Sequence, residues 1–452
     1  MQNVEGLDEA TLRRYVSNGY IHVQPVMPTG FHRDLYRQID AVFETEGNPG
    51  NNLLPRVPAI GGILDDTQVR GALTSILGED YIVHAHRHCH FRPPHTDAQR
   101  MHKDSWARRH HRTRWAMAFY YPQDTTVDMG PTGVVPGSQY FNDAPDSEAE
   151  VALAGEAGTV VIVHYDLWHR GMANVTDRKR YMLKFLFARM DEPEPAKGSP
   201  QDRIVSNGFE PTDPRSTMWR SMLAWHTGRE VANEDLGVAD ADALSHRLDA
   251  PEAEALKAAY ALGTGGQAGH DALLNALQSA SQDTRRNIGY GLAVASDPVA
   301  DRLCDLLADA ETGVRLAAID ALADAGVGGE RATAGLRALL KDDDAEIRHR
   351  AAYGLGCLGS SGAAALPDLV AALESNDEWL ARNASLAIAR HGKSAGDFVE
   401  QLQRTVAHPN RYVQANALKA LQRIDTPASR TALIDALQTS RWCPITTPKT
   451  PY

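Results

Sequence analysis

Residues 159–188 read TVVIVHYDLWHRGMANVTDRKRYMLKFLFA. The two ends of this stretch, 159–165 and 180–188, are rich in β-branched and aromatic residues, which favours β-strands. His169 lies between them, and Arg180, eleven residues later, begins the second; these side chains are suited to a metal ion and to a carboxylate. The stretch therefore predicts two strands that carry a ligand-binding centre.

Segments of the same character surround this stretch in the N-terminal half. Residues 81–91 and 113–121 are also predicted as strands, whereas 8–18 and 31–46 are predicted as helices. Several strands without long helices alternating between them indicate a barrel or a sandwich, not a doubly wound sheet.

The C-terminal half contains a repeat. Five helical segments with apolar residues at i, i+4 and i+8 begin at Thr284, Val314, Ile347, Leu380 and Val413, and the last four of these are evenly spaced. A second helix follows in each period, marked at the same even spacing by Leu303, Leu336, Leu369 and Leu402. Two helices in a period of about 33 residues predict an α-solenoid that resembles short HEAT-type repeats. A degenerate unit is expected near 252–262, and Asp283, Asp344 and Asp377 are the expected N-caps.

We therefore predict a multidomain chain with four parts. They are a β-barrel domain at 1–195, a helical connector at 196–265 with a helix at 216–226, an all-α HEAT-like domain at 266–440, and a tail at 441–452.

Composition limits the classes of function. The 452 residues carry a net charge of -12, which argues against a general nucleic-acid binder because phosphate contacts need a positive field. The four cysteines form no CxxC pair, so a thiolate zinc site is not expected. Neither a secretory signal nor a long continuous apolar run is present, and we expect a cytoplasmic protein without a membrane partner.

Two histidines and one carboxylate have the spacing of a metal site. His102 and Asp104 share one side of an extended chain, and His169 is brought from a later strand, which makes a facial triad. Such a triad leaves three positions on iron for a chelating 2-oxo acid and O2. A second His-x-Asp, at His164 and Asp166, has no strand-borne partner downstream and is not expected to bind metal.

The N-terminal part of the chain, up to position 190, resembles the phytanoyl-CoA dioxygenase family. The matching segments are LDEATLRRYVSNGYIHV at 7–23, FRPP at 91–94, GP at 130–131 followed by VVPGS at 134–138, and HRG at 169–171 followed by Arg180. The resemblance implies a double-stranded β-helix of the jelly-roll or cupin-like type. It also implies Fe(II) bound by His102, Asp104 and His169, and 2-oxoglutarate bound by Arg180.

The activity that the resemblance implies is a non-haem Fe(II)- and 2-oxoglutarate-dependent dioxygenase. Such an enzyme consumes O2, releases succinate and CO2, and oxidises, most often hydroxylates, an unactivated C–H bond of a small-molecule metabolite. Halogenases that resemble this family lack the carboxylate ligand, which Asp104 supplies here. Two positions depart from the family: Gly171 stands where a serine is common and Gln139 where a histidine is, which puts the finer co-substrate contacts in question.

Other residues have two interpretations each. Arg92, Trp115 and Tyr121 are candidate pocket residues, with a surface arginine and core packing as the alternatives. The alternating His84, His86, His88 and His90 share one strand face and form either a second metal site or a substrate wall, or else a hydrated outer face or a polar barrel lining. The basic cluster at 108–114 is expected to be a solvated loop, with an anion-recruiting lid as the alternative.

Three other functions compete with small-molecule oxidation. The repeats could dock a protein or a carrier-bound substrate or mediate self-association, and a chain with a degenerate barrel would be a non-enzymatic scaffold. Deoxyhypusine hydroxylase is also built from HEAT-like repeats but binds two irons through His-Glu pairs, and no His-Glu dipeptide occurs in this sequence.

Overall fold

The computed structural model describes residues 6–105, 111–145, 149–197, 199, 202–205, 208–210, 213–231 and 240–439. The chain divides into one compact unit that extends to residue 190 and another that extends from 191 to 440. The four-part division at 195, 265 and 440 stays a prediction. No helix in the described ranges is long and apolar enough to cross a bilayer.

The first unit is built on two antiparallel sheets. The strands of the chain are β1 (Tyr20–Val23), β2 (Ile82–Arg92), β3 (Trp115–Tyr120), β4 (Thr132–Val134), β5 (Val151–Ala152), β6 (Val160–His164), β7 (His169–Gly171), β8 (Arg180–Ala188), β9 (Ile204–Val205) and β10 (Glu230–Val231). The larger sheet has the order β1-β6-β3-β8-β2 and the smaller has the order β5-β4-β7, while β9 and β10 form a separate parallel pair in the second unit. The two antiparallel sheets confirm the predicted jelly-roll barrel.

The core of the first unit lies between its two sheets. Met117, Phe119, Val161 and Leu186 from the larger sheet are fully or almost fully buried in one cluster with Val134 from the smaller sheet. All nine residues of β8 are buried, because its even-numbered side chains face this core and its odd-numbered side chains face the flanking helices.

Helices cover the outer face of the larger sheet. The helices of the first unit are α1 (Glu9–Asn18), α2 (Phe31–Glu46), α3 (Leu53–Arg56), α4 (Gly61–Asp65) and α5 (Thr67–Leu77). The rings of Tyr36 and Phe43 on α2 lie 5.4 and 5.0 Å from the ring of Tyr181, an outward-facing residue of β8. Asp8 and Asp66 cap α1 and α5, since each carboxylate accepts from backbone N–H groups of the first turn.

The strand β2 contains a bulge between Val83 and Arg87, where it pairs with β8. Val83 pairs with Phe187 and Arg87 pairs with Phe185, so β2 carries two more residues than β8 over this segment. Because the excess is an even number, the alternation of side chains continues through the bulge unchanged.

The second unit consists of helical pairs. Its helices are α6 (Ser216–Thr227), α7 (Ala241–Ser245), α8 (Glu252–Thr264), α9 (Gly266–Ser279), α10 (Gln282–Ala295), α11 (Asp297–Leu306), α12 (Thr312–Ala325), α13 (Gly329–Leu339), α14 (Ala345–Cys357), α15 (Leu366–Ala372), α16 (Glu378–His391), α17 (Val399–Thr405), α18 (Arg411–Ile424) and α19 (Pro427–Thr439). The first helices of successive pairs, α10, α12, α14, α16 and α18, begin at the same intervals as the apolar segments of the sequence, and α8 with α9 forms an additional pair before them. These pairs confirm the predicted HEAT-like architecture.

Helix caps and ion pairs connect the repeats. Asp344 and Asp377 cap α14 and α16 as predicted, but the prediction of Asp283 as the cap of α10 was wrong. The cap is Ser281, whose hydroxyl accepts from Thr284 N at 3.2 Å, because α10 begins two residues before the apolar pattern does. The carboxylate of Asp377 also accepts a hydrogen bond from Arg348 of the preceding repeat at 2.8 Å. Asp377 therefore both caps α16 and links it to α14.

Candidate metal centre

The three predicted metal ligands come from two segments of the first unit. His102 and Asp104 lie between β2 and β3, and His169 is the first residue of β7. The backbones of His102 and His169 form an antiparallel bridge in which each N–H donates to the carbonyl of the other residue over 2.9 Å. Because paired residues of an antiparallel bridge direct their side chains to one face, the two imidazoles meet, with ring centroids 4.6 Å apart.

The side-chain atoms of these three residues converge. One nitrogen from each histidine and one oxygen of Asp104 all lie within 4.8 Å of one another. The carboxylate is 3.4 Å from His169 Nε2 and 3.9 Å from His102 Nε2. Across the described part of the chain, no other group of three His, Cys, Asp or Glu side chains is close enough to share a metal ion.

The second nitrogen of each ring is fixed by the backbone. His102 Nδ1 donates to the carbonyl of Arg100, and His169 Nδ1 donates to that of Leu167, both over 2.9 Å. A carbonyl oxygen only accepts, so Nδ1 carries the proton and the neutral ring presents its lone pair at Nε2. Metal-binding histidines are commonly oriented in this way, and the donor set therefore fits a divalent metal.

The charge state of the cluster also suits a metal. Burial lowers the pKa of His102, which favours the neutral ring that a metal needs. Burial alone would raise the pKa of Asp104, but in the metal-free site a His169 protonated at Nε2 as well, together with the charge and hydrogen bond of Lys184, outweighs it and holds that pKa well below its usual range. Asp104 is therefore ionised under all ordinary conditions.

Lys184 is a residue of this site that sequence reasoning missed. Its ammonium donates to Asp104 Oδ2 over 2.8 Å, and its side chain is only 4% exposed. The signal was present in the sequence: Lys184 is four residues after Arg180 on the same strand, so both face the barrel interior with Met182 between them.

Arg180 lies at the start of the same strand and is 1% exposed. Its guanidinium donates to the carbonyl of Gly130 through Nε at 3.0 Å and Nη2 at 2.6 Å, and to the carbonyl of His90 through Nη1 at 3.3 Å. No carboxylate pairs with it among the described residues, and burial lowers its pKa to about 10. A buried guanidinium held only by carbonyls is able to bind an anion.

Arg92 accounts for the departure at Gly171. It is buried, and its Nη2 donates to the carbonyl of Gly171 at 2.6 Å and to that of Met172 at 3.1 Å, so the interpretation of Arg92 as a surface arginine was wrong. A Cβ at position 171 would lie 2.8 Å from Arg92 Nη2 and 2.9 Å from Gln99 Oε1. The guanidinium therefore fills the space that a serine side chain would need.

The departure at Gln139 has a structural role. Its amide donates to the carbonyl of Val16 at 3.0 Å, and the hydroxyl of Tyr140 donates to the same carbonyl at 2.7 Å. Val16 lies in the last turns of α1, so Gln139 fastens that helix to the barrel.

Trp115 and Tyr121 both face the barrel interior. Tyr121 is fully buried in the core, where its hydroxyl donates to Thr132 Oγ1 at 3.2 Å and accepts from Thr132 N at 3.0 Å. Trp115 is half-buried beside Tyr165 and His84. The contacts favour core packing for Tyr121 and leave Trp115 as a wall residue.

The alternating histidines line the barrel. The rings of His86 and His88 are 4.8 Å apart and those of His88 and His90 are 4.5 Å apart, which places three of the four in one row. His88 pairs across the strands with Lys184 and so faces inward, and the expectation of a hydrated outer face was wrong. Among the described residues, these rings do not form a second metal cluster.

Two further expectations concern residues after Asp104. In the basic cluster, residues 108–110 lie outside the described residues, while His111 and Arg114 are buried, so a fully solvated loop is wrong for this part. In the second His-x-Asp, Asp166 accepts from Ser105 and its N–H donates to His164 Nδ1 at 3.1 Å. Among the described residues, the metal cluster does not include this pair.

Comparison with known families agrees with this geometry. The phytanoyl-CoA dioxygenase (PhyH) family matches residues 15–182, a span that contains all three converging residues and Arg180. Residues 15–182 are a PhyH domain. HEAT repeats match residues 270–356 and 366–443. The PhyH domain makes the chain an oxidoreductase of the iron- and 2-oxoglutarate-dependent class. The prediction of an enzyme is therefore confirmed, and the alternative of a non-enzymatic scaffold is not.

Solved structures resemble about two-fifths of this chain at low identity. They include the non-heme alpha ketoglutarate dependent carbocyclase SnoK from nogalamycin biosynthesis (19% identity, TM-score 0.34, 41% of this chain and 85% of that one). They also include EctD from S. alaskensis with 2-oxoglutarate and 5-hydroxyectoine (16%, 0.37, 42% and 79%) and the non-heme monooxygenase ThoJ (17%, 0.33, 41% and 83%). No curated protein matches the chain.

Proposed function

We propose that the chain oxidises a small-molecule metabolite, with His102, Asp104 and His169 binding Fe(II) and Arg180 binding the C5 carboxylate of 2-oxoglutarate. The observation that carries this proposal is the convergence of two imidazoles and one carboxylate within 4.8 Å. The Nδ1 atom of each imidazole donates a hydrogen bond to a backbone carbonyl, which leaves Nε2 for the metal. Two neutral imidazoles and one carboxylate are the donor set of a non-haem iron centre with open positions.

The protein's own residues position the reactants. Iron, when bound, supplies the activation of O2 that converts 2-oxoglutarate to succinate and CO2 and oxidises a C–H bond of the substrate. Arg180 presents a planar pair of N–H donors that matches a carboxylate in two places. Replacing the Gly130 carbonyl as its partner with an anion would also neutralise its buried charge.

The barrel wall keeps water from the reactants. Met117, Phe119, Met182 and Leu186 are almost completely buried around the interior, and the ring of Phe119 lies 6.0 Å from that of His169. Apolar surroundings strengthen each charge interaction made inside them. Arg180 and His169 are therefore largely shielded from water, whereas the His102 side chain is 43% exposed.

Uncoupled turnover tests the proposal without a known substrate. The full-length protein should convert 2-oxoglutarate to succinate slowly when Fe(II) and O2 are supplied, and His169→Ala should abolish this conversion. His246→Ala is the matched control, because His246 is an exposed residue of the second unit and does not belong to the metal cluster. Equal succinate formation by the wild-type and His169→Ala proteins would contradict the assignment of the ligands.

A second candidate function is oxidation of a protein or carrier-bound substrate that docks on the repeats. It is favoured by Trp379, Arg382 and Tyr412, which stack on successive repeats with the guanidinium 3.9 and 4.2 Å from the two ring centroids. Aromatic residues and arginine are enriched where protein partners bind most tightly.

Size fractionation separates the two candidates. A cell extract is divided by ultrafiltration, and each fraction is tested for faster succinate formation. We expect the small-molecule fraction to stimulate turnover. Stimulation confined to the macromolecular fraction, and lost in Trp379→Ala, would favour the docked substrate instead.

A further inference from the structure

Asp104 lies just beyond the point where its segment pairs with β7. The antiparallel bridge to that strand is made by His102, and no backbone–backbone hydrogen bond joins Asp104 or Ser105 to another described residue. A segment with few backbone hydrogen bonds is the part of a fold that moves most easily. The direction of the Asp104 carboxylate therefore depends on hydrogen bonds that side chains make to this segment.

Two such hydrogen bonds come from the turn 164–167, which follows β6. The hydroxyl of Tyr165 donates to the backbone carbonyl of Asp104 at 3.2 Å. The hydroxyl of Ser105 donates to the carboxylate of Asp166, and both of these residues are buried. The turn thus holds the main chain of Asp104 at its carbonyl and at the next residue.

His164 fixes the shape of this turn. Its Nδ1 atom accepts from the N–H of Asp166 at 3.1 Å, and its carbonyl accepts from the N–H of Leu167 at 3.0 Å. Burial lowers the pKa of His164 to about 4, so the ring is neutral at ordinary pH and Nδ1 is able to accept. The second His-x-Asp of the sequence is therefore a structural unit of the turn.

The same turn orients a second residue of the metal cluster. The carbonyl of Leu167 accepts from Nδ1 of His169 at 2.9 Å, which directs Nε2 of that ring towards the cluster. Leu167 is fully buried, so its backbone is held by packing as well as by hydrogen bonds. One turn of four residues therefore contacts both Asp104 and His169, which come from separate segments of the chain.

We infer that the turn 164–167 positions Asp104 and His169 for the metal ion, with Tyr165 and Asp166 as positioning residues. This inference rests on the proposed function and identifies what sets the metal affinity of the same site. Both residues act through a ligand, since their hydrogen bonds go to the Asp104 carbonyl and to Ser105. Outer-shell partners of metal ligands typically change metal affinity by roughly 10–100-fold.

Anaerobic competition for Fe(II) between the full-length protein and a chromogenic chelator tests this inference. Ser105→Ala and Tyr165→Phe each remove one hydroxyl group, and each should raise the Fe(II) dissociation constant by about tenfold. Tyr181→Phe is the matched control, because the hydroxyl of this buried tyrosine donates to Asp40 at 2.6 Å on the outer face of the sheet. Its dissociation constant should equal that of the wild type.

Further variants separate positioning from a general loss of packing. Asp166→Ala should weaken Fe(II) binding, and adding Ser105→Ala should weaken it no further, because the two changes remove the same hydrogen bond. Asp166→Asn keeps an acceptor oxygen and should retain most of the affinity. At saturating Fe(II), the half-saturating concentration of 2-oxoglutarate should stay at the wild-type value, because the hydrogen bonds of Arg180 go to Gly130 and His90.

Two results would overturn the inference. The first is that Ser105→Ala and Tyr165→Phe, both folded by circular dichroism, bind Fe(II) as tightly as the wild type. The second is that Tyr181→Phe loses as much affinity as they do, which assigns the effect to a general loosening of the barrel. These single-hydroxyl variants decide even if Asp166→Ala does not fold. Failure of the wild-type protein to bind Fe(II) would instead refute the proposed function, so the two failures are distinguishable.

Discussion

Replacing Gly171 with serine should destabilise the PhyH domain through Arg92. A Cβ at this position would approach Arg92 Nη2 to 2.8 Å and Gln99 Oε1 to 2.9 Å, closer than carbon atoms normally come to either. Arg92 Nη2 is the far end of a flexible side chain, but it is buried and donates to the carbonyls of Gly171 and Met172. It can move only by giving up these bonds.

The magnitude follows from those two hydrogen bonds. A bond from a charged donor contributes roughly 1.5–3 kcal/mol, and partial loss of two gives about 2–4 kcal/mol. For a unit of this size, about 1 kcal/mol lowers Tm by roughly 2–4 °C, so the Tm of the first unit should fall by about 5–15 °C. The change should be much smaller in an Arg92→Ala background, where the guanidinium no longer fills the space.

Chemical denaturation of four proteins measures this coupling: wild type, Gly171→Ser, Arg92→Ala and the double variant. We expect the free energies of unfolding to be non-additive by at least about 1 kcal/mol. Additive effects, or a Gly171→Ser protein as stable as the wild type, would show that Arg92 does not occupy the place of the missing side chain.

Three further predictions concern single residues. Arg180→Lys keeps the charge but loses the planar pair of donors, and should raise the half-saturating 2-oxoglutarate concentration in the succinate assay by about tenfold or more; an unchanged value would remove Arg180 from the co-substrate site. Burial lowers the pKa of His391 to about 4, so between about pH 6.5 and pH 4 this histidine is protonated in the unfolded chain but not in the folded one. The free energy of unfolding should therefore decrease by up to about 3 kcal/mol as the pH falls through this range. In denaturant titrations, His391→Leu should show a flatter dependence of stability on pH. Ser281→Ala should cost about 1 kcal/mol of unfolding free energy and Asp283→Ala less, since the serine is the cap; the reverse order would contradict the structure.

Much of the metal centre could be predicted from the sequence because its signals are local. His102 and Asp104 are two residues apart in an extended chain, and His169 with Arg180 brackets a short turn between two strand-like segments. Such patterns can be recognised in the sequence because the alternation of side chains along an extended backbone fixes the direction of each one. The even spacing of the apolar helical segments is a local signal of the same kind.

The features that the sequence did not reveal depend on contacts between distant segments. Arg92 donates a hydrogen bond to the carbonyl of Gly171, which is distant along the chain. No sequence pattern around either residue predicts this contact. Lys184 is an intermediate case, because alternation from Arg180 places it inside the barrel but only the fold brings it to Asp104. The cap of α10 was misplaced because Asp283 and Ser281 are both good capping residues and helix ends are poorly marked by apolar spacing.

The central claim is that His102, Asp104 and His169 hold one iron ion beside a 2-oxoglutarate site. Anaerobic titration of the full-length protein with Fe(II), followed by addition of 2-oxoglutarate, tests it most directly. We predict one equivalent of bound iron and a weak visible charge-transfer band in the wild-type protein, with both lost in His102→Ala while the fold, measured by circular dichroism, is retained. A folded His102→Ala protein that binds iron and gives the same band as the wild type would contradict the claim.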